Sequence, residues 1–150
     1  PWKYTPAGTD QPPSKQFQTV TGVAVSNDGL VYVADRSNNR IQVFKRDGTF
    51  VTEWFYEKGT LGNGATWDLD FWPDAKQTYL INADGENNVL RLLRRSDGAV
   101  VGTIGRSGRY AGQFHWVHTI AVDSKGNIYT GEVDNANRVQ KFRPTNGGPK

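Results

Sequence analysis

The chain contains three copies of one pattern, and this repetition limits its fold more than any other feature. Each copy has a short alternating apolar segment, a turn, a second segment with a tyrosine, and a third segment that follows an Asn-Arg or Asn-Asn pair. Tyr32, Tyr79 and Tyr129 mark the copies at intervals of 47 and 50 residues. Repeats of this length that are built of short strands predict a β-propeller or a related array.

The repeats divide the sequence into four parts. Residues 1–19 contain four prolines and Gly8 and are predicted to form an arm, in which residues 15–19 are a candidate closing strand. Residues 20–65 and 66–114 each show the pattern of four strands that forms one propeller blade. Residues 115–150 show three strands, so this blade is predicted to be incomplete. The predicted fold class is all-β, a propeller segment of about three four-stranded blades without helices.

Three blades leave an apolar sheet face uncovered at each end, which is unfavourable for an isolated segment. We therefore expect the chain to be half of a ring, completed as a homodimer or within a larger complex. The sequence has no Met and begins with Pro1, so we expect a processed or truncated chain. It also has no Cys, which excludes disulfides and thiolate chemistry in these residues. No stretch is long and apolar enough to predict a transmembrane helix.

The first and third copies resemble the NHL repeat. The residues that carry the resemblance are Gly22 to Val25, Val31 to Asp35 and Asn39 to Phe44, with counterparts at 119–142. The resemblance implies a six-bladed propeller, of which this chain would be half. NHL propellers include protein-binding and RNA-binding modules, and the peptidyl-hydroxyglycine lyase of peptide amidation is similar. The sequence looks closest to secreted bacterial members, which implies a periplasmic or extracellular location.

His118 is the residue that this resemblance makes chemically interesting. In the lyase-like members, a histidine before the first strand of several blades converges on a zinc ion in the central channel, and His118 has this position. Asp68 is a candidate second ligand, whereas the first copy has Thr21. Zinc needs three or four protein ligands, so the others would come from further blades. No cofactor is expected if His118 only lines the channel, and zinc or calcium is expected if it binds a metal.

An acidic and a basic residue recur after the second strand of the outer copies. They are Asp35 and Arg40 in the first copy and Glu132 and Arg138 in the third. Because each blade has its own pair, we interpret them as structural ion pairs and not as acid–base catalysts. In the middle copy, Asn82 and Asn88 are predicted to replace both members.

Three further residues are candidates for ligand binding. Trp116 lies beside His118 in sequence and is predicted to line the mouth of the channel. Arg106 and Arg109 belong to a basic region that also contains arginines 91, 94 and 95, and basic residues beside aromatic ones can bind anions or RNA. The net charge is only +3, which is not the composition of a nucleic-acid-binding domain.

Three functions remain open from the sequence. The leading hypothesis is a non-catalytic interaction or scaffold module outside the cytoplasm, which displays loops on a stiff ring to a protein partner. The first alternative is a zinc-dependent lyase with His118 as one ligand. The second alternative is an RNA-binding propeller, whose binding would depend steeply on salt.

Overall fold

A computed structural model of the chain describes residues 15–145. Within these residues, eleven strands form three separate antiparallel sheets. Neighbouring strands in each sheet are also neighbours in sequence, so every sheet is a meander, as in a propeller blade. The prediction of an all-β propeller segment is confirmed. No helix in the described part of the chain is long and apolar enough to cross a membrane.

The three blades have the following strands. Blade 1 contains β1 (Val20–Val25), β2 (Leu30–Asp35), β3 (Arg40–Lys45) and β4 (Phe50–Phe55). Blade 2 contains β5 (Asp68–Phe71), β6 (Tyr79–Asp84), β7 (Val89–Arg94) and β8 (Val100–Ile104). Blade 3 contains β9 (Val117–Val122), β10 (Ile128–Glu132) and β11 (Arg138–Phe142). A short 3-10 turn at Arg36–Asn38, which the sequence did not predict, joins β2 to β3.

The predicted arm lies mostly outside the described residues, because it begins at Pro1 and the structure describes the chain from residue 15. Residues 15–19, which were the candidate closing strand, are not part of a strand. They cross the end of blade 1, where the backbone N–H groups of Gln18 and Thr19 donate to Asp35. The end of the predicted third blade, residues 146–150, also lies outside the described part.

Two apolar cores lie between the blades, because each sheet presents alternate side chains to its neighbours. The core between blades 1 and 2 has Tyr32 and Ile41 on one side and Leu69, Phe71 and Leu93 on the other. Its tightest aromatic contact is edge-to-face, with the ring centroids of Tyr32 and Phe71 5.2 Å apart. The core between blades 2 and 3 is built in the same way. Its buried residues are Ile81, Ala83, Leu90, Phe114, Val117, Ile120 and Ile128.

The two cores define the faces of each blade. We call the face toward the preceding blade the leading face and the face toward the following blade the trailing face. Leu69 and Phe71 lie on the leading face of blade 2, and Tyr32 and Ile41 lie on the trailing face of blade 1. The first strands, β1, β5 and β9, contact one another from blade to blade, and thus lie nearest the axis of the segment.

The structure corrects the alignment of the middle repeat. Asp84 ends β6 as Asp35 ends β2, so Ile81 and not Tyr79 has the position of Tyr32. Tyr79 instead has the position of Leu30. The sequence alignment was wrong by two residues because a shift of two leaves every side chain on its original face, so the alternation of apolar residues cannot reveal it.

Candidate functional site

An ion pair closes the end of blade 1 and fixes the segment that enters it. Arg40 Nε donates to Asp35 Oδ2 at 2.8 Å, and both side chains are fully buried. The backbone N–H of Gln18 donates to the other oxygen of Asp35 at 2.9 Å, and Arg40 donates to the carbonyl oxygen of Gln16 at 3.0 Å. The pair therefore holds the backbone that leads into β1, because it supplies both a donor and an acceptor to that segment.

Blade 3 repeats this arrangement. Arg138 Nε donates to Glu132 Oε1 at 2.7 Å. The backbone N–H of His115 donates to Glu132 at 2.7 Å, and Arg138 also donates to the carbonyl oxygen of Gln113. In both blades the acid and the arginine serve to anchor the linker, which is a structural role that each blade needs separately.

Blade 2 has the same kind of pair, at positions that the sequence alignment missed. Asp84 is buried, accepts hydrogen bonds from Arg91 and Asn87, and replaces the predicted Asn82. Burial raises the pKa of Asp84, although Arg91 opposes this effect. The prediction that Asn82 and Asn88 replace both members was wrong, because Asn82 was misaligned with Asp84 by two residues and the arginine of this pair is Arg91.

Asn88 has a different role, which ties adjacent blades together. Its Oδ1 accepts the backbone N–H of Trp116 at 2.6 Å, just as Asn39 Oδ1 accepts that of Ala65 at 2.7 Å. Both asparagines have positive φ, at 57° and 54°, a conformation that Asn adopts more readily than most residues. Blades 1 and 2 are thus each bonded to the backbone of the linker that follows them.

Asp68 connects the first strands of blades 2 and 3. Its Oδ1 accepts the N–H of Leu69 at 2.9 Å, and its Oδ2 accepts the N–H of Ile120 at 2.9 Å and the hydroxyl of Thr119 at 2.9 Å. The free inner edges of β5 and β9 would otherwise leave these N–H groups without acceptors. The carboxylate therefore has a full set of donors from the protein itself.

Asp70 repeats this connection two residues further along β5. It accepts the N–H groups of Phe71 and Val122, both at 2.7 Å. Burial raises the pKa of Asp70, and the nearby charge of Asp68 acts in the same direction. Two carboxylates thus clamp the first strands of blades 2 and 3 at matching positions.

One group of side chains near the axis does not follow the repeat. We call it the aromatic–arginine cluster, and its members are Arg36, Trp67, His115, Trp116 and His118. Trp67 is the buried residue that Arg36, Trp116 and His118 contact, and only 2% of its surface is exposed. Its Nε1 donates to the carbonyl oxygen of Gly64 at 2.6 Å. The guanidinium carbon of Arg36 lies 4.7 Å from the centroid of the indole ring, within the range of a cation–π contact.

The other members surround Trp67 from blade 3. The ring of His118 meets Trp67 edge-on at 5.2 Å, and the ring of Trp116 lies 6.0 Å away. His115 lies nearly parallel to Trp116, with ring centroids 6.1 Å apart and an angle of 6° between the planes. Trp116 has a φ of 54°, a left-handed conformation that costs about 1–2 kcal/mol for a residue other than Gly.

The structure therefore brings two predicted site residues, Trp116 and His118, next to each other and to Trp67. Arg36 was not among the residues predicted from the sequence. The available signal for Arg36 was a break in the repeat, because it follows Asp35 at the position where Gly85 follows Asp84. A side chain on Gly85 would come within 2.6 Å of the Trp67 ring, so only one of the two blades can carry a large residue there.

The predicted metal ligands are not brought into a metal-binding group. Within residues 15–145, no set of three or more His, Asp or Glu side chains is placed to hold a metal ion. His118 packs against an indole, and Asp68 is occupied by backbone donors and a hydroxyl. A metal at His118 stays a prediction that requires ligands from outside the described residues.

The basic region is divided by the structure. Arg91 is paired with Asp84 inside blade 2. Arginines 94 and 95 form ion pairs at the surface, with Asp97 at 2.7 Å and Asp28 at 2.9 Å respectively. Arg106 and Arg109 are exposed on the linker before β9, and their side chains make no hydrogen bond or ion pair to the described part of the chain. The structure shows no contact of either with Trp116.

Comparison with known proteins finds the same repeat in other chains. The NHL repeat profile matches residues 17–44, so the resemblance seen in the sequence is confirmed. The chain is 36% identical to human NHL repeat-containing protein 3 over 157 aligned positions, which cover 97% of this chain and 40% of that protein. It is also 69% identical over 29 residues to the chicken E3 ubiquitin-protein ligase TRIM71, across 19% of this chain and 3% of the relative.

Solved structures show the same fold. Virginiamycin B lyase from Staphylococcus aureus superposes with a TM-score of 0.58 at 15% sequence identity, over 89% of this chain and 44% of that one. At this identity the likeness concerns the fold alone. The chain spans less than half the length of each of these relatives.

Proposed function

We propose that this chain, in which residues 17–44 match the NHL repeat, is a non-catalytic interaction or scaffold module within a larger propeller assembly. Its end blades join further blades, and the completed ring presents its loops to a protein partner. The observation that carries the proposal is the exposure of positions that are buried wherever two blades meet.

The leading face of blade 1 has no neighbour in the described chain. In blade 2, Leu69 and Phe71 on the leading face are 4% and 7% exposed. Val23 and Val25 have the same positions in blade 1 and are 58% and 52% exposed. These valines are apolar because the position belongs to an interblade core, and their exposure marks a core that is half built.

A pair of phenylalanines supports the same conclusion. Phe114 precedes β9, packs on Phe142 with ring centroids 5.5 Å apart, and is fully buried by blade 2. Phe17 precedes β1 and packs on Phe44 at 5.8 Å, but 40% of its surface is exposed. The difference between the two sites is the absence of a preceding blade beside Phe17.

The trailing face of blade 3 is the complementary surface. Val139 has the position of Ile41 in blade 1 and Leu90 in blade 2, which are both fully buried, yet Val139 is 75% exposed. Tyr129 has the position of Tyr32, whose ring packs on the following blade. The two end faces are therefore the two halves of the contact that the molecule already makes twice internally. A second copy of the chain offers both halves and can close a ring.

Thiol cross-linking between two single variants tests this proposal. The chain has no cysteine, so Val25→Cys and Tyr129→Cys each introduce one unique thiol. These positions correspond to Phe71 and Tyr32, whose rings touch across the internal interface. When the two variants are mixed with a short bis-maleimide, we expect a covalent dimer that contains one copy of each.

Lys125→Cys is the matched control, because it lies in an exposed turn of the same blade as Tyr129. Mixed with Val25→Cys, it should give no more dimer than either variant alone. Equal yields for the two mixtures, or no dimer at concentrations well above those of ordinary assays, would contradict the proposal that the end faces join.

A further inference from the structure

Arg36 differs from the other arginines near the blade ends, because its guanidinium has no acceptor. Within residues 15–145, its side chain makes no hydrogen bond and no ion pair, and its Nε is enclosed without a partner. Arg40, Arg91 and Arg138 are each paired with a carboxylate. A half-buried cation with unused donors is uncommon in proteins, since buried polar groups are nearly always paired.

The contact with Trp67 fixes the position of Arg36, but it provides no hydrogen-bond acceptor for the N–H groups of the guanidinium. The guanidinium lies over the indole ring, and this contact uses none of its N–H donors. Burial lowers the pKa of Arg36, and the charge of Glu86 opposes this effect, yet Glu86 makes no salt bridge with it. No described residue therefore accepts a hydrogen bond from these donors.

Trp116 is a second departure from the repeat in the same place. Its backbone N–H makes the interblade bond to Asn88 that Ala65 makes to Asn39, so a small side chain is sufficient for that bond. Here the position carries a half-exposed indole on a left-handed backbone. Backbone strain at a bulky surface residue is typical of functional sites, because the blade packing alone does not require it.

We propose that the aromatic–arginine cluster binds an acidic peptide segment, with a carboxylate on the guanidinium of Arg36 and a neighbouring flat apolar side chain on the indole of Trp116. The planar guanidinium matches a carboxylate through two parallel hydrogen bonds. Trp and Arg are the residues most enriched at the centres of protein interfaces. The site is complete within one chain, so it is independent of whether the end faces of the blades join.

The charges favour a peptide over a nucleic acid. A nucleic acid presents a row of phosphates and requires several cations along one surface. The cluster has one arginine, and the nearest charged neighbour affecting it is the acidic Glu86. A single carboxylate needs only the one guanidinium.

Calorimetric titration of the purified chain tests the proposal with defined probes. The first probe is a blocked peptide of sequence Gly-Ser-Asp-Phe-Gly-Ser, and the second has Asn in place of Asp. Loss of a charge-assisted pair weakens binding by about tenfold or more. We expect a weakening of about that size for the Asn peptide with the unchanged chain, and for the Asp peptide with Arg36→Gln.

Two further variants separate the roles of the cluster. Trp116→Gly removes the indole and suits the left-handed backbone, and it should weaken the Asp peptide while the chain remains folded. Arg46→Gln removes an exposed arginine in another part of blade 1 and is the matched control, which should leave the affinity unchanged. Circular dichroism and thermal unfolding of each variant show that the fold is retained.

The same titrations can overturn the proposal in three ways. The proposal fails if the unchanged chain shows no saturable binding of the Asp peptide. It also fails if Asp and Asn peptides bind equally, or if Arg36→Gln has no larger effect than Arg46→Gln. If octauridylate binds in an Arg36-dependent manner and the Asp peptide does not, the cluster is a nucleic-acid site instead.

Discussion

Phe114 and Phe17 provide a matched test of the repeat, because they have the same position in blades 3 and 1. Phe114 is fully buried between blades 2 and 3, whereas Phe17 is 40% exposed. Truncation of a fully buried Phe to Ala costs about 3–5 kcal/mol, which includes the cavity that remains. Phe114→Ala should therefore lower the free energy of unfolding by about 3–5 kcal/mol.

Phe17→Ala should cost much less. Full burial of a large apolar side chain contributes about 1.5–3 kcal/mol, and a partly exposed site loses only the corresponding share. Solvent also reaches the truncated site, so no enclosed cavity is left. We expect a cost of about 1–2 kcal/mol at protein concentrations where the chain is monomeric. The measurement is urea denaturation followed by tryptophan fluorescence and circular dichroism. The dependence of the unfolding free energy on urea concentration should be the same in both variants, so that their midpoints can be compared.

The costs of the two substitutions should also depend differently on protein concentration. If the leading face of blade 1 becomes covered in an assembly, the cost of Phe17→Ala should rise with protein concentration, while that of Phe114→Ala should change less. Equal costs for the two substitutions in the monomer, or a cost below about 1 kcal/mol for Phe114→Ala, would refute the interblade packing described above.

Three further predictions concern other contacts. Gly98→Ala should destabilise the chain by about 2 kcal/mol or more, because the added Cβ would lie 2.3 Å from the indole ring of Trp54. Gly48 has a similar positive φ but open space around it, so Gly48→Ala should cost about 1 kcal/mol. Thermal unfolding of the two variants measures the difference. Asp84→Asn should lower the free energy of unfolding by about 3 kcal/mol, because it removes the carboxylate that pairs with the buried Arg91 inside blade 2. Asp97→Asn removes one member of an exposed pair and should cause no measurable change in the denaturant midpoint. Hydrogen bonds from Arg95 lower the pKa of Asp28 from 3.8 to about 2, so the contribution of Asp28 to stability is present above pH 3.8 and is lost as the pH falls through 2. The urea midpoint of Asp28→Asn should therefore depend less on pH in this interval than that of the unchanged chain. The same pH dependence in both would contradict this assignment.

Much of the fold could be predicted because strand alternation and turn signals are local. The three blades contain four, four and three strands, as the repeat pattern indicates, and the acid–arginine pairs of blades 1 and 3 lie where the repeat predicts. The middle repeat was the exception. Tyr79 resembles Tyr32 in sequence, and only the pairing of β6 with β7 shows that Ile81 has that position.

The candidate site was predicted only in part, since its contacts join residues from three blades. His118 was found through the resemblance to the lyase-like propellers, and Trp116 was found because it lies beside His118 in sequence. Arg36 was missed, because its stacking on Trp67 depends on the packing of blade 1 against blade 2. The role of Asn88 was also missed, since its amide bonds a backbone group 28 residues further along the chain. Local patterns carry no information on such contacts.

The native mass of the chain tests the central claim most directly. The account predicts that the exposed end faces of blades 1 and 3 join in solution, so light scattering or native mass spectrometry should detect a species of twice the chain mass of 16.7 kDa, with its population rising with concentration. Substitution of Val139 by Asp should shift this population toward the single chain. A mass of 16.7 kDa at every concentration, unchanged by that substitution, would contradict the claim that these faces join between copies of the chain.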